Sequence, residues 1–309
     1  MTVRVPPALR GRSLFLQSML ILLISAPWAD MRGMGTAAGP TAGPATPPDS
    51  VTSDRGEGVS PGRLAVVGGV YLAGVTAIHL YQQDAWWRGR RGPFHVEEDL
   101  VYAKNIDKVG HFYGTQVFTY TLGKSLEWAN VPASDALIYG AVGATLFQTY
   151  IEIEDGFALD WGFDRVDFLA DLLGAWYPVA QREIPVLRNF DVKLSYWPKT
   201  PSGAGAFPGQ RKTALDDYEG QTFWFCARMG QMIDPWPRWL NISVGVAVRD
   251  NLTPQRYLAV FLAPDLDMKT IVPPTTPFLR TLGEVLDFIH MPLPAVQISP
   301  GVIWYGVYF

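Results

Sequence analysis

Three pairs of ionisable residues are regularly spaced along the apolar helical stretches in the middle of the chain. Asp107 and His111 are four apart, Glu152 and Asp155 three apart, and Asp167 and Asp171 four apart. On a helix a four-residue step turns the side chain by only about 40°, and a three-residue step by about 60°, so each pair shares a face. Two chemistries suit these types. A carboxylate such as Asp107 can orient the His111 imidazole as a general acid or base. Glu152, Asp155 and Asp167, with His111, can hold a divalent metal ion or activate water against a phosphate or lipid headgroup. The candidate catalytic set is therefore Asp107, His111, Glu152, Asp155 and Asp167, and the candidate metal ligands are His111, Glu152, Asp155 and Asp167.

Each residue also has a plainer role. Asp107 and Asp167 suit helix N-termini, Lys108 reads as a solvated side chain, and His111 suits a hydrogen-bonded structural position. Asp171 is different, because Leu169, Leu172 and Leu173 flank it on the face that should pack. An unpaired carboxylate buried there costs several kcal/mol, so Asp171 needs a partner or a proton. The sequence carries no Gly-x-Ser-x-Gly, no His-Glu-x-x-His and no phosphate-cradling glycine loop, so no nucleophile motif supports catalysis.

The elements that must position these residues are helices. Leu64 to Leu80 is apolar except for Thr76 and His79, and Gly69, Ala73 and Ala77 line one face with small side chains. A second helix is expected from about Asp107 to Trp128. A third follows Pro132, with Ser134 as N-cap and Ala136 to Ile151 free of charge. Gly140 and Ala144 repeat the small-residue spacing there. A fourth starts with Asp164 as N-cap and Asp167 at its third position and runs to about Ala180, before Pro185. In an up-down bundle with short connections, the start of helix two, the end of helix three and the start of helix four meet on one side. That prediction places the three pairs together.

Beyond the bundle the period shifts toward two. Asn241 to Val248, Tyr257 to Ala263, Leu266 to Ile271 and Val302 to Phe309 read as antiparallel strands, with a helix over Phe278 to Ile289. The last strand alternates Ile303, Tyr305, Val307 and Phe309, which is also how many outer-membrane strands end. Too few strands are legible for a barrel of eight, so a sheet packed on the bundle is expected. The fold class is α+β: a helical bundle of about four apolar helices followed by a small antiparallel β region.

At the N-terminus Arg4, Arg10 and Arg12 precede the apolar run Leu14 to Ile24, and Ser25, Ala26 and Ala29 follow it. This is the order of a secretory signal peptide, and the run is too short to span a bilayer. The expected organisation is a signal peptide over 1–29, a Gly/Pro-rich linker over 30–62, the bundle over 63–185 and a β-rich region over 186–309. Charged residues are 17% of the chain, well below the usual quarter, and there are 11 Trp, so the composition leans toward a lipid interface or a dry core. The net charge is −4 with no basic block, which argues against nucleic acid as a partner. The single cysteine, Cys226, leaves no intrachain disulfide and no cysteine-rich metal site.

Pro93-Phe94-His95, Glu98-Asp99, Asp107-Lys108-Val109-Gly110-His111-Phe112, Glu152 through Asp155-Gly156-Phe157, Asp160-Trp161-Gly162-Phe163, and Asp167 with Gly174-Ala175 follow one another in order. This pattern over roughly 71–182 resembles the YfiM-like family of bacterial periplasmic lipoproteins, a family of unknown function. The Asp-Lys-x-x-His, Glu and Asp order is also similar to that of VanZ-like membrane proteins. Two departures from the first family are Asp171, where members tend to have Asn, and the lack of the lipidated cysteine of some members. The resemblance implies a place in the bacterial cell envelope: periplasm, membrane-associated, with the outer membrane open.

Two functions fit. In one, the chain is an exported, membrane-associated envelope protein whose polar cluster fixes helix register, with membrane lipid or an envelope protein as partner. In the other it is a metal-assisted hydrolase acting on a phosphate or lipid-headgroup substrate, with a divalent ion as cofactor.

Overall fold

A computed structural model of the protein describes residues 58–87, 91–198, 217–250 and 255–309. The signal peptide over 1–29, the linker up to residue 57 and the Gly/Ala-rich stretch 202–210 lie outside the described residues.

Four long helices form the first half. α1 (Pro61–Ala85) starts where Ser60 caps Arg63 and Pro61 takes the first helical position, where its missing N–H costs nothing. It thus begins inside the stretch expected as linker. α2 (Ile106–Trp128) follows a turn in which Ala103, Lys104 and Asn105 all have positive φ. Such a run is costly for residues with a Cβ. Ala103 is fully buried, and the Asp99 carboxylate accepts from the backbone of Val101 and Tyr102, which together hold the turn. α3 (Ala133–Phe157) is preceded by Pro132, and the expected cap Ser134 instead bonds Asp135 inside the first turn. α4 (Arg165–Glu183) is capped by Asp164, which accepts from the N–H of Val166 and Asp167.

Small residues let α2 and α3 approach closely. A Cβ on Gly140 would lie 2.4 Å from the Thr119 carbonyl oxygen, so that position admits only glycine without a shift. The Gly69 face of α1 meets nothing comparable; a Cβ there would point into open space. α1 touches the bundle through Ser60 and Arg63 at the end of α2, through Val67 and Tyr71 against Leu126 and Phe118 of α2, and through His79 and Trp87 to α3. Both α1 over Pro61–Gln83 and α3 are long and apolar enough to cross a membrane, but they differ in packing. The apolar window of α3 is 33% buried and that of α1 only 6%.

The second half is one antiparallel meander, β1 (Phe190–Tyr196), β2 (Gln221–Ala227), β3 (Leu240–Arg249), β4 (Tyr257–Leu266), β5 (Leu293–Ser299) and β6 (Ile303–Tyr308), paired in sequence order. Short helices α5 (Met229–Met232) and α6 (Met268–Ile271) and the longer α7 (Pro277–Leu286) interrupt it. The strand expected over 266–271 is therefore corrected: β4 ends at Leu266, and Asp267 caps α6. Three strands went unread: β1 alternates apolar and polar residues strictly from Phe190 to Tyr196 and was passed over, β2 is mostly apolar without alternation, and β5 contains a proline. The sheet curls: Trp197 packs on Phe309 and Thr222 bonds the Tyr308 hydroxyl, which brings its two ends together. α2 joins the halves, packing Ile106, Tyr113 and Val117 against Val192, Phe223 and Val248.

Candidate functional site

The three pairs converge at one end of the bundle, where α2 begins, α3 ends and α4 begins. The chain reverses there through a loop held by the segment 91–97, which exchanges backbone hydrogen bonds with Gly156, Phe157 and Phe163. Glycine is required at both ends of that loop. A Cβ on Gly156 would lie 2.3 Å from the Phe94 ring, and one on Gly162 would lie 2.5 Å from the Glu97 side chain.

His111 sits at the centre. Its Nδ1 is 3.1 Å from Asp171 Oδ1 and 3.9 Å from Glu152 Oε1, and its Nε2 is 3.8 Å from Asp167 Oδ2. Gln148, one turn before Glu152 on α3, donates to the same Asp171 oxygen at 2.8 Å. Glu152 and Asp171 are fully buried, whereas the His111 side chain keeps 23% of its exposure and forms the rim. The donor atoms of His111, Glu152 and Asp171 lie within 4.8 Å of one another. Asp171 Oδ2 is buried without a hydrogen-bond partner.

Beside this lies an ion-pair hub. Lys108 Nζ reaches Asp107 at 2.9 Å, Asp164 at 2.9 Å and Asp167 at 3.0 Å. Lys108 is thus not a solvated side chain, because three carboxylates surround it. Asp107 turns to Lys108 and not to His111, so the pairing of Asp107 with the imidazole is corrected; the carboxylate that meets His111 is Asp171. Asp155 points away from the ring toward α1 and accepts from Trp87 Nε1 at 2.5 Å. Asp164 links the two parts, since its backbone N–H faces Glu152 Oε2 at 3.3 Å while its side chain binds Lys108.

The electrostatics follow from the count: five carboxyl groups face one lysine and one histidine, with Asp155 buried beside them. Burial pushes the Glu152 carboxyl up to about 9, with the charges of Asp155, Asp171 and Asp167 adding to it against the pull of His111. Asp155 is raised to about 7, since burial outweighs its Trp87 hydrogen bond. Asp107 is raised to about 6 by burial and the Asp167 charge, despite Lys108. Asp167 is raised mainly by burial. For His111 burial acts to lower the value, but Asp171, Asp167 and Glu152 overcome it and hold the imidazolium well above 6.5. Burial likewise opposes the Lys108 charge, and Asp107 and Asp167 restore it. Asp164 is lowered: burial opposes this, but Lys108 and the backbone N–H groups of Val166 and Asp99 prevail. At neutral pH this end of the bundle holds protons on carboxyl groups, and a divalent cation bound among them would take their place.

Sequence reasoning did not include Asp171 in the site, and the leucines expected beside it on the packing face are corrected, since Leu169 and Leu173 are exposed and Asp171 is buried; it also passed over Gln148, whose signal is the four-residue spacing to Glu152. Trp87 had no signal, because its contact with Asp155 spans 68 residues.

Residues 97–181 match a family described as "predicted periplasmic lipoprotein (DUF2279)", a domain of unknown function. The match gives no support to the VanZ-like similarity. No curated protein and no solved structure matches the chain. The family places the protein in the periplasmic cell envelope. The single cysteine, Cys226, is buried in β2, so it is not a point of lipid attachment.

Proposed function

Proceeding from a periplasmic family without an assigned activity, we propose that the helical half of this protein binds a divalent cation between His111, Glu152 and Asp171 on a membrane-associated bundle. The observation that carries the reading is the trio of donors within 4.8 Å, beside which the buried Asp171 Oδ2 lacks a hydrogen-bond partner. Small side-chain shifts bring such donors to about 2.1 Å from one ion, and a mixed imidazole and carboxylate set suits Zn²⁺ or Mn²⁺ better than Ca²⁺. Asp167 beside Nε2 supplies the outer partner that fixes the ring, and Gln148 does the same for Asp171. The Asp107–Lys108–Asp164 hub is structural on this reading and keeps the helix ends together. Membrane association rests on α1, whose apolar side chains Val66, Leu72 and Leu80 stand exposed.

The test is elemental analysis of purified protein, followed by calorimetry with Zn²⁺ and Mn²⁺ on the wild type, His111→Ala and Asp171→Asn. Stoichiometric binding that both substitutions abolish, with the helical signal retained, is the expected result. Equal uptake by all three proteins would sink the proposal.

A hydrolytic reading is favoured by one feature: the rim position of His111 leaves one side of such an ion open toward solvent, as a catalytic metal requires. It predicts ion-dependent cleavage of a chromogenic phosphate ester that Glu152→Gln abolishes. Absence of turnover by the ion-loaded protein counts against it.

A further inference from the structure

Charge is inverted in the sheet relative to an ordinary soluble domain: the charged residues lie on the enclosed face, beside a buried cluster of Trp224, Phe261, Ala247 and Ala259, and the outer face is apolar. An antiparallel sheet with one solvated face normally turns apolar side chains to the core and polar ones to water. Here the six strands contain four charged residues, Asp191, Lys193, Arg249 and Asp265. The pairing register puts all four on one face, with Trp224, Ser243 and Gln297. That face is enclosed and internally bonded. Lys193 Nζ bonds Asp265 and Asp287 at 2.8 Å each, Trp224 Nε1 donates to Ser195, and the His290 ring stacks on Trp224 at 3.9 Å. Arg249 reaches back to the Tyr308 hydroxyl.

The opposite face carries no charge. α2 covers one part of it, at Val192, Phe223 and Val248. The remainder presents Phe225, Ile242, Val244, Leu262, Ile298 and Trp304 outward, and Trp304 is 79% exposed. At the β2–β3 end this band is bounded by Arg238 and Trp239, both exposed.

We propose that this outer face lies against the hydrocarbon of a lipid bilayer. Water disfavours this outer face, because apolar area exposed to it costs roughly 25 cal/mol per Å². A bilayer favours the arrangement found: apolar residues outward, polar residues inward, and aromatic and basic residues at the headgroup level. The charge pattern separates lipid from a protein partner. A protein interface tolerates charge at its rim and between its strands, whereas the sorting of every strand charge to the inner face is what a hydrocarbon neighbour demands. The inference goes beyond the cation site and the α1 contact, since it rests on a different half of the molecule.

The test uses the full-length protein in vesicles of phosphatidylethanolamine and phosphatidylglycerol with brominated acyl chains. In a Cys226→Ala background, Val244→Cys and Leu262→Cys carry a polarity-sensitive fluorophore, and Leu72→Cys on α1 is labelled in parallel. Expected are a blue shift and loss of more than half the emission for both sheet labels, with little quenching by aqueous iodide. In the unlabelled protein, Trp304→Phe should remove a lipid-quenched part of the tryptophan emission, which tests the same face without a label or the background change. Sheet labels that iodide quenches and brominated chains do not would overturn the proposal. If the Leu72 label alone is quenched by lipid, the sheet proposal fails while the α1 contact stands. Sheet labels shielded from iodide only as protein concentration rises, and never quenched by lipid, would show a second copy on this face and would equally overturn it.

Discussion

Two buried ionic networks, one in each half of the molecule, differ in their balance of charge. In the sheet, Lys193, Arg228 and Lys269 face Asp191, Asp265, Asp267 and Asp287, three cations against four carboxylates. Asp287 alone meets all three cations, and although burial opposes ionisation they hold its carboxyl well below the usual range. In the bundle, five carboxyl groups meet one lysine and one histidine, with Asp155 buried beside them, and burial drives the Glu152 carboxyl upward instead. A nearly neutral network sets its carboxylates against cations and fixes geometry, although burial still raises Asp265 and leaves its Oδ1 without a hydrogen-bond partner. One with a large excess of carboxyl groups persists by keeping protons or by binding a cation. The same residue types are therefore structural in one half and a candidate site in the other.

The largest effect should come from breaking the balanced network. Lys193→Met leaves Asp265 and Asp287 buried without their shared cation and should remove about 3–5 kcal/mol of stability, equally with and without divalent ions. Denaturant unfolding measures it, and a loss below about 1 kcal/mol would remove the structural role.

Neutralising the bundle should do the opposite. Glu152→Gln removes an acid that burial already disfavours, so without added ions the protein should keep its stability or gain slightly. The ion-dependent gain, about 2.7 kcal/mol at a hundredfold excess over Kd, should vanish. Thermal melts with and without Zn²⁺ decide it, and an unchanged ion response would erase the contrast between the two networks.

The proton balance sharpens the comparison. With its folded value near 9 against an ordinary 4.5, Glu152 keeps a proton in the folded state that the unfolded chain has lost. The stability this contributes is complete below about pH 4.5 and falls as pH rises toward about 9. A cation must displace that proton, so its affinity should rise about tenfold per pH unit for each proton released. Calorimetry in buffers of differing ionisation enthalpy reads the proton count, and pH-independent affinity would exclude Glu152 as a ligand. The smallest effect concerns the joint between α1 and the site. Trp87→Phe removes the indole donor to Asp155 and should cost about 1 kcal/mol in melts, with cation affinity unchanged.

The periodic apolar runs of the helices and the Asp164 cap of α4 were legible because each is a local signal, whereas Pro61 was read as linker and Ser134 in place of Pro132 as the cap of α3. The four-residue spacings placed each ionisable pair on one face, and the up-down order of the chain predicted which helix ends meet. The sequence by itself determined the α+β class, the resemblance over 97–181 to an envelope family and the clustering of acidic residues around His111. Only the tertiary structure decided which carboxylate meets the imidazole, because Asp171 lies 60 residues away and spacing within a helix says nothing across helices. It likewise turned Lys108 inward, since a lysine beside Asp107 looks solvated until Asp164 and Asp167 arrive from another helix. The inverted sheet was hidden for the same reason: alternation separates two faces, but which of them is enclosed depends on the curl of the meander and on where α2 and α7 pack.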